Sequence, residues 1–476
     1  YYFYENAEVN HFKYFDNKNN LDSIKSAVKN ETGTQIPGFK SFDQNKIPRS
    51  DRDDRGLQYG ALKPASKPPS GQRPIIVLLP GIMGSNLSNG EQKLWLNYFN
   101  ILGGGLMDLD NAQDGEIVAD SVVKTSYERL YDELSSKYDV VIHPFDWRMQ
   151  LGECASLFEV KIKELMGLGQ PIKIIGHSMG GVLVRDFIIN HPETWKKLNA
   201  TKDFRLIFLG SPLEGSYRIL TVLFGEDAII NKLSMLDLKH TKRELLSMFS
   251  KFEGILSLLP INKDKDAAND FANIRTWENM REVFNKKDWP LPGEDELKRF
   301  GAYRNKIIQN RGDIDYSNMV YIAGKDKMTP SGYFKEEILP DKELHFIYTS
   351  RGDQSVTWDS IPEQLKTRKA VYYSRTSHGM LASDPDIFSA IEEILSSGST
   401  SLLSKKEFTL RAGEDELFRA APENDFDMSE QAFENAILGI STEKQSQEEQ
   451  LSVTVSNGDL HYSSYPVLAG HFLNDG

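Results

Sequence analysis

From residue 74 onward, short apolar and β-branched runs alternate with segments whose apolar positions recur at helical spacing. The runs that predict strands are Ile75–Leu79, Val140–His143, Lys173–Ile175, Arg205–Leu209, Met319–Ala323, Leu344–Thr349 and Ala370–Tyr373. Near-continuous apolar runs of this length are typical of strands buried on both faces of a parallel sheet. The intervening segments Tyr127–Lys137, Val182–Ile189 and Asp386–Leu395 predict crossover helices. The pattern therefore predicts an α/β domain over residues 74–398.

Other regions depart from this alternation. About a hundred residues after Ser211 lack a convincing strand, and their apolar spacing predicts a helical insertion over roughly 213–312. This insertion is either a subdomain with its own core or a cap over a pocket. Residues 1–73 are polar and contain several prolines in their second half, which favours an extended N-terminal arm or a disordered leader.

The C-terminal part changes composition again. Residues 399–450 predict an acidic linker that carries one short helix, Ser429–Leu438. Asn457-Gly458 is typical of a two-residue turn and predicts a β-hairpin within residues 451–476. Because a lone hairpin is not a stable domain, it either docks on the main sheet or opens a further domain.

Composition and charge narrow the range of functions. The chain has 476 residues, with 56 Lys plus Arg against 69 Asp plus Glu and a formal net charge of −13. An acidic chain without a dense basic stripe argues against nucleic-acid binding, because phosphate contacts dominate that affinity. The single cysteine, Cys154, excludes an internal disulfide framework and suits a reducing compartment. We expect a cytoplasmic protein that meets membranes peripherally, and secretion stays open because the chain begins at Tyr1 rather than Met.

The strongest chemical motif is Gly176-His177-Ser178-Met179-Gly180, which lies between a predicted strand and a predicted helix. In this context the serine occupies a strained turn, and the flanking glycines leave room around it. Ser178 is therefore the candidate nucleophile. We interpret its neighbour His177 as a residue that packs or hydrogen-bonds locally.

A serine hydroxyl needs a general base that a third group holds in place. His378 is the candidate base, because its loop lies between the last predicted strand and the last predicted helix and can reach the strand ends. Other histidines downstream of Ser178 are placed less favourably: His191 ends a helix, His240 belongs to the insertion, and His345 lies within a strand.

Asp353 is the candidate acid. It follows the predicted strand Leu344–Thr349 and lies between the serine and the histidine in the chain, the order of α/β-hydrolases. Its carboxylate would fix the tautomer of the imidazole. Asp326 and Asp359 are the rivals, and each also fits an ordinary solvated turn.

Two backbone amides are needed to stabilise the oxyanion. Met179, the residue after the nucleophile, is expected to supply one, and Ile82 in the loop after the first predicted strand the other, with Met83 as the second choice. The sequence lacks the zinc motif H-E-x-x-H, a P-loop lysine motif and a dinucleotide-binding G-x-G-x-x-G after a strand. No metal or organic cofactor is expected.

Further motifs accompany the serine motif in a consistent order between about 74 and 397. They are Ile75–Ser85, Leu94-Trp95-Leu96-Asn97, Pro144-Phe145-Asp146-Trp147-Arg148, Leu209-Gly210-Ser211-Pro212 with Gly215-Ser216, Phe252–Pro260, Gly324 with Thr329-Pro330, Gly352-Asp353 with Val356, and Ser377-His378. Together they resemble the lecithin:cholesterol acyltransferase-like branch of the α/β-hydrolases.

This resemblance implies a mostly parallel sheet flanked by helices, with a helical cap or lid over an acyl-binding pocket. It also implies a triad of Ser178, Asp353 and His378, and oxyanion donors at Ile82 and Met179. Met83 and Trp95 are the candidate substrate-binding residues.

The chain departs from relatives at several positions. Gln354 stands where they often have a second glycine after the acid, and Phe145 where they often have tyrosine. The cysteine pair of secreted relatives cannot form with Cys154 alone. Asp146 and Arg148 are expected to form a buried ion pair that braces the site.

The sequence thus predicts a serine hydrolase that cleaves a lipid or other long-chain carboxylic ester, or transfers its acyl group, with the substrate met at a membrane surface. The alternatives are a thioesterase, amidase or peptidase on the same fold. An inactive platform that binds partners through the C-terminal region is a third reading. The oligomeric state stays open.

Overall fold

The structure is a computed structural model that describes residues 2–3, 40–41, 61–64, 69–111, 117–261, 270–283, 288–335, 344–409 and 418–419. Contacts divide the chain into two compact units, Tyr1–Ser441 and Thr442–Gly476, and every described residue belongs to the first. The predicted helix Ser429–Leu438, the hairpin within 451–476 and most of the N-terminal arm lie outside the described residues. The proposed domain boundaries therefore stay predictions.

The strands and helices of the described residues follow the chain in a regular order. The strands are β1 (Tyr2–Phe3), β2 (Lys40–Ser41), β3 (Ala61–Leu62), β4 (Ile75–Leu79), β5 (Ser85–Asn89), β6 (Gln92–Trp95), β7 (Ile117–Val123), β8 (Asp139–Ile142), β9 (Ile172–His177), β10 (Arg205–Leu209), β11 (Met319–Ala323), β12 (Thr329–Lys335), β13 (Leu344–Thr349), β14 (Val371–Tyr373) and β15 (Phe418–Arg419). The helices are α1 (Tyr98–Leu102), α2 (Asp108–Asn111), α3 (Lys124–Ser135), α4 (Leu151–Met166), α5 (Met179–Asn190), α6 (Pro192–Asn199), α7 (Arg218–Leu223), α8 (Ala228–Leu236), α9 (Lys242–Phe249), α10 (Glu253–Leu256), α11 (Ile274–Val283), α12 (Glu294–Asn310), α13 (Glu363–Thr367) and α14 (Phe388–Ser397).

Six of these strands form the central sheet, in the order β14-β11-β10-β9-β4-β8. Every neighbouring pair in it is parallel, so all six carboxyl ends lie at the same edge. Loops that leave this edge can bring residues far apart in the chain together. The expected α/β-hydrolase class, a mostly parallel sheet flanked by helices, is confirmed.

Alternate residues of the central strands face two apolar layers. Val77 and Ile174 belong to the layer that contains α4 and α5. Ile76 and Ile175 belong to the opposite layer, with α3 and α14. Burial on both faces explains why these strands read as near-continuous apolar runs.

The described residues between β10 and β11 form the helices α7 to α12 and contain no strand. This interval corresponds to the predicted insertion. Arg185 on α5 connects it to the main domain, because its guanidinium donates to the Tyr303 hydroxyl on α12 and to the Leu213 carbonyl, both at 2.5 Å. In the described part of the chain, no helix has the length and apolar character needed to cross a bilayer.

One predicted strand lies in a different sheet. Leu344–Thr349 does form β13, but it pairs antiparallel with β12 and β15 and is not part of the central parallel sheet. β12 lies just upstream in the chain, and local antiparallel pairing with it satisfies the backbone of β13 without a crossover. A further antiparallel sheet, ordered β3-β7-β5-β6, includes the polar strand Ser85–Asn89, which the apolar pattern did not indicate.

Candidate active site

Ser178 lies in the sharp turn between β9 and α5. Its backbone adopts φ +50° and ψ −122°, a left-handed conformation that few residues other than glycine adopt. Its amide donates to the Leu209 carbonyl of neighbouring β10 at 2.9 Å. A Cβ on Gly180 would lie 2.5 Å from the Pro80 carbonyl oxygen, so the first turn of α5 approaches the neighbouring loop more closely than any larger residue allows. The local sequence thus presents the hydroxyl at the carboxyl edge of the sheet.

His378 begins a short 3₁₀ turn after β14, and its ring joins the other two candidate residues. Its Nε2 lies 2.9 Å from Ser178 Oγ, and its Nδ1 lies 2.9 Å from Asp353 Oδ2. With Nδ1–H donating to the carboxylate, the lone pair of Nε2 is free to accept the serine proton. All three side chains are buried. The structure therefore brings the three sequence-predicted residues into one hydrogen-bonded series.

Asp353 is held by its own loop. Its Oδ1 accepts the backbone amides of Ser355 at 3.1 Å and Val356 at 2.7 Å, which leaves Oδ2 directed at the histidine. The next residue, Gln354, has φ +87°, in the region that favours glycine. This conformation gives a physical reason for the glycine that relatives often carry there.

The rival residues have other surroundings. Asp359 is exposed, and Asp326 accepts the backbone amide of Lys327. His191 faces Glu159, and His240 faces Asp237. Of His345 only the backbone is described.

The loop after β4 packs directly against Ser178, the candidate nucleophile. The Gly84 amide donates to the Gly81 carbonyl at 3.1 Å, and Met83 lies within this turn at φ +58°. Because the Gly81 amide donates to the Tyr127 hydroxyl at 2.7 Å, it is already engaged. Ile82 and Met83 are the next amides of the loop. Met179 opens α5, where backbone amides and the helix dipole favour negative charge.

A cavity open to solvent lies beside Ser178 and His378, and its volume is about 550 Å³ when the open space at its mouth is included. Most of its lining is apolar and comes from the loop after β4, from α7, α8 and α10, and from the Asp353 loop. The lining residues besides Ser178 and His378 are Ile82, Met83, Pro212, Ser216, Arg218, Ile219, Val222, Ile229, Ile255, Leu258, Ser355 and Val356.

Of the two candidate substrate-binding residues, Met83 lines the cavity. Trp95 is fully buried, and its indole N–H donates to the Met83 carbonyl at 2.8 Å. Trp95 is not among the described residues that line the cavity, so its contact with the cavity is indirect, through Met83. The pair Asp146 and Arg148 does form, with Arg148 Nε donating to Asp146 Oδ1 at 2.9 Å.

His177 and Tyr127 are two residues of the site whose contacts the sequence did not reveal. His177 Nδ1 lies 2.9 Å from the Tyr127 hydroxyl, and its Nε2 lies 3.1 Å from the His378 carbonyl oxygen. Burial lowers the pKa of His177 to about 3, and the nearby His378 adds to this effect. The ring therefore stays neutral near neutral pH. Its partners are 50 and 201 residues away, beyond the local contacts expected of it.

Polar residues at the wall of the cavity connect the insertion to the Asp353 loop. Arg218 on α7 donates through Nε to Asp227 Oδ2 and through Nη1 to Ser355 Oγ, both at 2.8 Å. The Ser216 hydroxyl donates to the Ser355 carbonyl. Throughout the described residues, no group of three or more His, Cys, Asp or Glu side chains is arranged to hold a metal ion.

The sequence is similar to that of known lipid-modifying enzymes. The family model described as Lecithin:cholesterol acyltransferase matches residues 118–376. Phosphatidylcholine-sterol acyltransferase of Homo sapiens is 30% identical over 109 residues, and that of Mus musculus is 32% identical over 105 residues. Each match covers 21% of this chain and 23% of the relative. The aligned part thus spans about a quarter of the length of these curated relatives.

Solved structures that match parts of this chain include the Tle4–Tli4 complex, at 13% identity and a TM-score of 0.41, covering 68% of this chain and 98% of that chain. The mature lipase BlEst2 of Bacillus licheniformis is 12% identical with a TM-score of 0.31, covering 71% of this chain and 97% of that chain. The fold class itself follows from the parallel strand order and the two helical layers.

Proposed function

Because this chain belongs to the lecithin:cholesterol acyltransferase family, we propose that it is a serine hydrolase that acts on lipid or other long-chain carboxylic esters. The observation that carries the proposal is the hydrogen-bonded series Ser178–His378–Asp353 at the wall of a mostly apolar cavity. The relatives' name, phosphatidylcholine-sterol acyltransferase, favours a phospholipid as the acyl donor.

The first half of the reaction forms an acyl-enzyme. Ser178 Oγ attacks the ester carbonyl carbon while its proton moves to His378 Nε2, and Asp353 stabilises the resulting imidazolium. The carbonyl oxygen becomes an oxyanion, for which the amides of Ile82 and Met179 are the proposed donors. As the tetrahedral intermediate collapses, the carbon–oxygen bond to the alcohol breaks, and His378 returns the proton to the leaving oxygen.

The second half releases the acyl group. Water, or an acceptor alcohol, gives its proton to His378 and attacks the acyl-enzyme carbonyl, and Ser178 leaves with that proton. Water as the nucleophile yields a fatty acid, whereas an alcohol yields a new ester. The apolar residues of α7, α8 and α10 offer an environment for an acyl chain, since apolar surfaces associate by excluding water.

Vesicles of phosphatidylcholine, phosphatidylethanolamine and phosphatidylglycerol with cholesterol test the proposal. The chain and its Ser178→Ala variant are incubated with them, and the lipids are quantified by mass spectrometry. We expect lysophospholipid with fatty acid or with sterol ester from the unmodified chain and from a Ser156→Ala control, whose exposed serine lies on α4. Lipid profiles that do not differ between Ser178→Ala and the unmodified chain would contradict a lipid-ester substrate.

A substrate panel separates the other hydrolases. Long-chain p-nitrophenyl esters, acyl-thioesters and peptide amides are compared at equal concentration, together with labelling of Ser178 by a fluorophosphonate. Preference for thioesters or amides would identify the alternative enzyme class. A serine that remains unlabelled would identify an inactive platform.

A further inference from the structure

We propose that His177 and Tyr127 form a positioning pair that fixes the His378 loop relative to the loop after β4. The latter carries the proposed oxyanion donor Ile82 and is called the oxyanion loop below. This inference rests on the proposed function. Three consecutive hydrogen bonds connect the two loops: Gly81 amide to Tyr127 hydroxyl at 2.7 Å, Tyr127 hydroxyl to His177 Nδ1 at 2.9 Å, and His177 Nε2 to His378 carbonyl at 3.1 Å. Neither side chain is among the residues that line the described cavity.

Each bond in this series has one permitted direction. The His378 carbonyl only accepts, so His177 must carry its proton on Nε2. The Nδ1 atom of the neutral ring then holds a lone pair, and the Tyr127 hydroxyl must donate to it. The Tyr127 oxygen in turn accepts the Gly81 amide. A single tautomer of His177 therefore satisfies the whole series.

The charge state of His177 is compatible with this role. The ring is buried, and its centroid lies 5.3 Å from that of His378. Desolvation holds the pKa of His177 at about 3, so it does not compete with His378 for the serine proton near neutral pH. A neutral neighbour also avoids repulsion when His378 becomes an imidazolium.

The two ends of the series are atoms that determine the geometry of the reaction. The His378 backbone is held on both sides, because its amide donates to the Asp353 carbonyl at 2.8 Å and its carbonyl accepts from His177. At the other end, a Cβ on Gly81 would lie 3.0 Å from Ser178 Cβ, so the oxyanion loop is in close contact with the nucleophile. Displacement of either loop would misalign the base or the oxyanion donors.

The series predicts a selective kinetic effect. Substitution His177→Phe removes both hydrogen bonds, and we expect kcat to fall by about 10- to 100-fold, since misplacement by about 1 Å can cost about 100-fold. We expect KM to stay within about twofold, because the cavity lining is untouched. His177→Gln keeps a hydrogen-bond donor and an acceptor in its side-chain amide, so we expect it to retain most of the wild-type kcat. For Tyr127→Phe we expect a kcat between those of His177→Phe and His177→Gln. Tyr131→Phe, on the same helix, serves as the matched control and is expected to retain wild-type kcat.

The experiment measures kcat and KM on a p-nitrophenyl ester, the rate of Ser178 labelling by a fluorophosphonate, and the thermal midpoint of each variant. In parallel, ¹⁵N-histidine NMR of the unmodified chain reports the tautomer of His177. A protonated Nε2 that persists between pH 7 and 5, with a kcat loss confined to His177→Phe and Tyr127→Phe, supports the pair. Unchanged kcat and labelling rate in folded His177→Phe, a loss expressed only in KM, or an Nδ1–H tautomer would overturn it.

Two safeguards keep these outcomes separate. If His177→Phe does not fold, Tyr127→Phe decides the question, because it removes the hydroxyl from the series and keeps the aromatic ring, while His177→Gln shows whether a donor and an acceptor at position 177 are sufficient. If the unmodified chain turns over no ester and takes no label, the proposed function fails. The NMR tautomer still confirms or refutes the hydrogen-bonded series in that case.

Discussion

Arg218 Nη1 donates to Ser355 Oγ at 2.8 Å, and this contact joins the first helix of the insertion to the loop that carries Asp353. The same guanidinium is paired with Asp227, and both side chains are largely buried. The helical insertion therefore does more than contribute apolar residues to the cavity. It also supports the segment that presents the candidate acid to His378.

Loss of this guanidinium is expected to destabilise the protein strongly. Arg218→Met leaves the Asp227 carboxylate buried without its partner, which costs about 3–5 kcal/mol in the free energy of unfolding. Urea denaturation measures the loss. Because removing both charges avoids the unpaired carboxylate, the double variant Arg218→Met/Asp227→Leu is expected to be more stable than Arg218→Met alone.

The exposed pair Lys161–Glu164 provides the comparison. Lys161→Met is expected to change the unfolding free energy by less than about 1 kcal/mol. Equal effects of Arg218→Met and Lys161→Met would show that the Arg218 contacts add little to stability.

Substitution of the candidate acid distinguishes Asp353 from its rivals. Asp353→Asn preserves the shape of the side chain but not the charge that stabilises the imidazolium and its tautomer, so we expect kcat to fall by about 10⁴-fold. Asp359→Asn and Asp326→Asn are expected to stay near the wild-type rate. The rates of ester hydrolysis at saturating substrate decide the assignment, and a large loss in either rival with full activity of Asp353→Asn would reverse it.

His177 is expected to make stability depend on pH. Its pKa is about 3 in the folded chain against an ordinary value of 6.5, so the unfolded state alone takes up a proton as the pH falls below 6.5. The contribution of His177 to the free energy of unfolding is fully present above pH 6.5 and declines by about 1.4 kcal/mol per pH unit toward pH 3. Between pH 7.5 and 5 this amounts to about 2 kcal/mol.

The measurement compares the chain with His177→Gln by urea denaturation across that interval. Glutamine does not titrate, so the stability difference between the two proteins should shrink by about 2 kcal/mol toward pH 5. Parallel curves would mean that His177 carries no depressed pKa.

Gln354 is expected to be a strained position. Its φ of +87° costs a non-glycine residue roughly 1–3 kcal/mol, partly offset by the entropy that glycine loses on folding. Gln354→Gly should therefore raise the unfolding free energy by about 1 kcal/mol. It also keeps the backbone amide that donates to Thr329 Oγ1 at 2.9 Å.

At a second glutamine, substitution by glycine is expected to change the unfolding free energy in the opposite direction. Gln364 is exposed within α13, where Gln364→Gly should lower the unfolding free energy by about 1 kcal/mol. Denaturation of the two variants side by side tests the conformational origin of the effect. Destabilisation of similar size in both would contradict it.

Short-range patterns in the sequence predict much of the architecture. The strands of the central sheet are buried on both faces, so they appear as apolar runs such as Ile75–Leu79, and the parallel α/β class follows from their alternation with helices. The serine motif is likewise local, because a strand, a tight turn and a helix follow each other directly. Family membership also comes from residue patterns alone.

Other features depend on contacts between distant residues. The strand Leu344–Thr349 has the apolar character of a central strand, yet its pairing with β12 places it in another sheet. Asp353, Asp326 and Asp359 all lie in non-strand segments downstream of a strand, so their positions in the sequence do not distinguish them. Only the folded chain directs one of them, Asp353, to His378 at 2.9 Å, while its catalytic role stays a prediction.

The same reason explains why the sequence did not predict the hydrogen-bonded series from Gly81 to His378 or the contact of Arg218 with Ser355. Tyr127, His177 and His378 are separated by 50 and 201 positions, and no periodicity relates them. The spacing of neighbouring side chains determines local secondary structure. Hydrogen bonds between distant loops form only after the parallel strands have brought those loops together at one edge of the sheet. Sequence therefore identified the reactive groups as candidates, and tertiary structure decided which partners surround them.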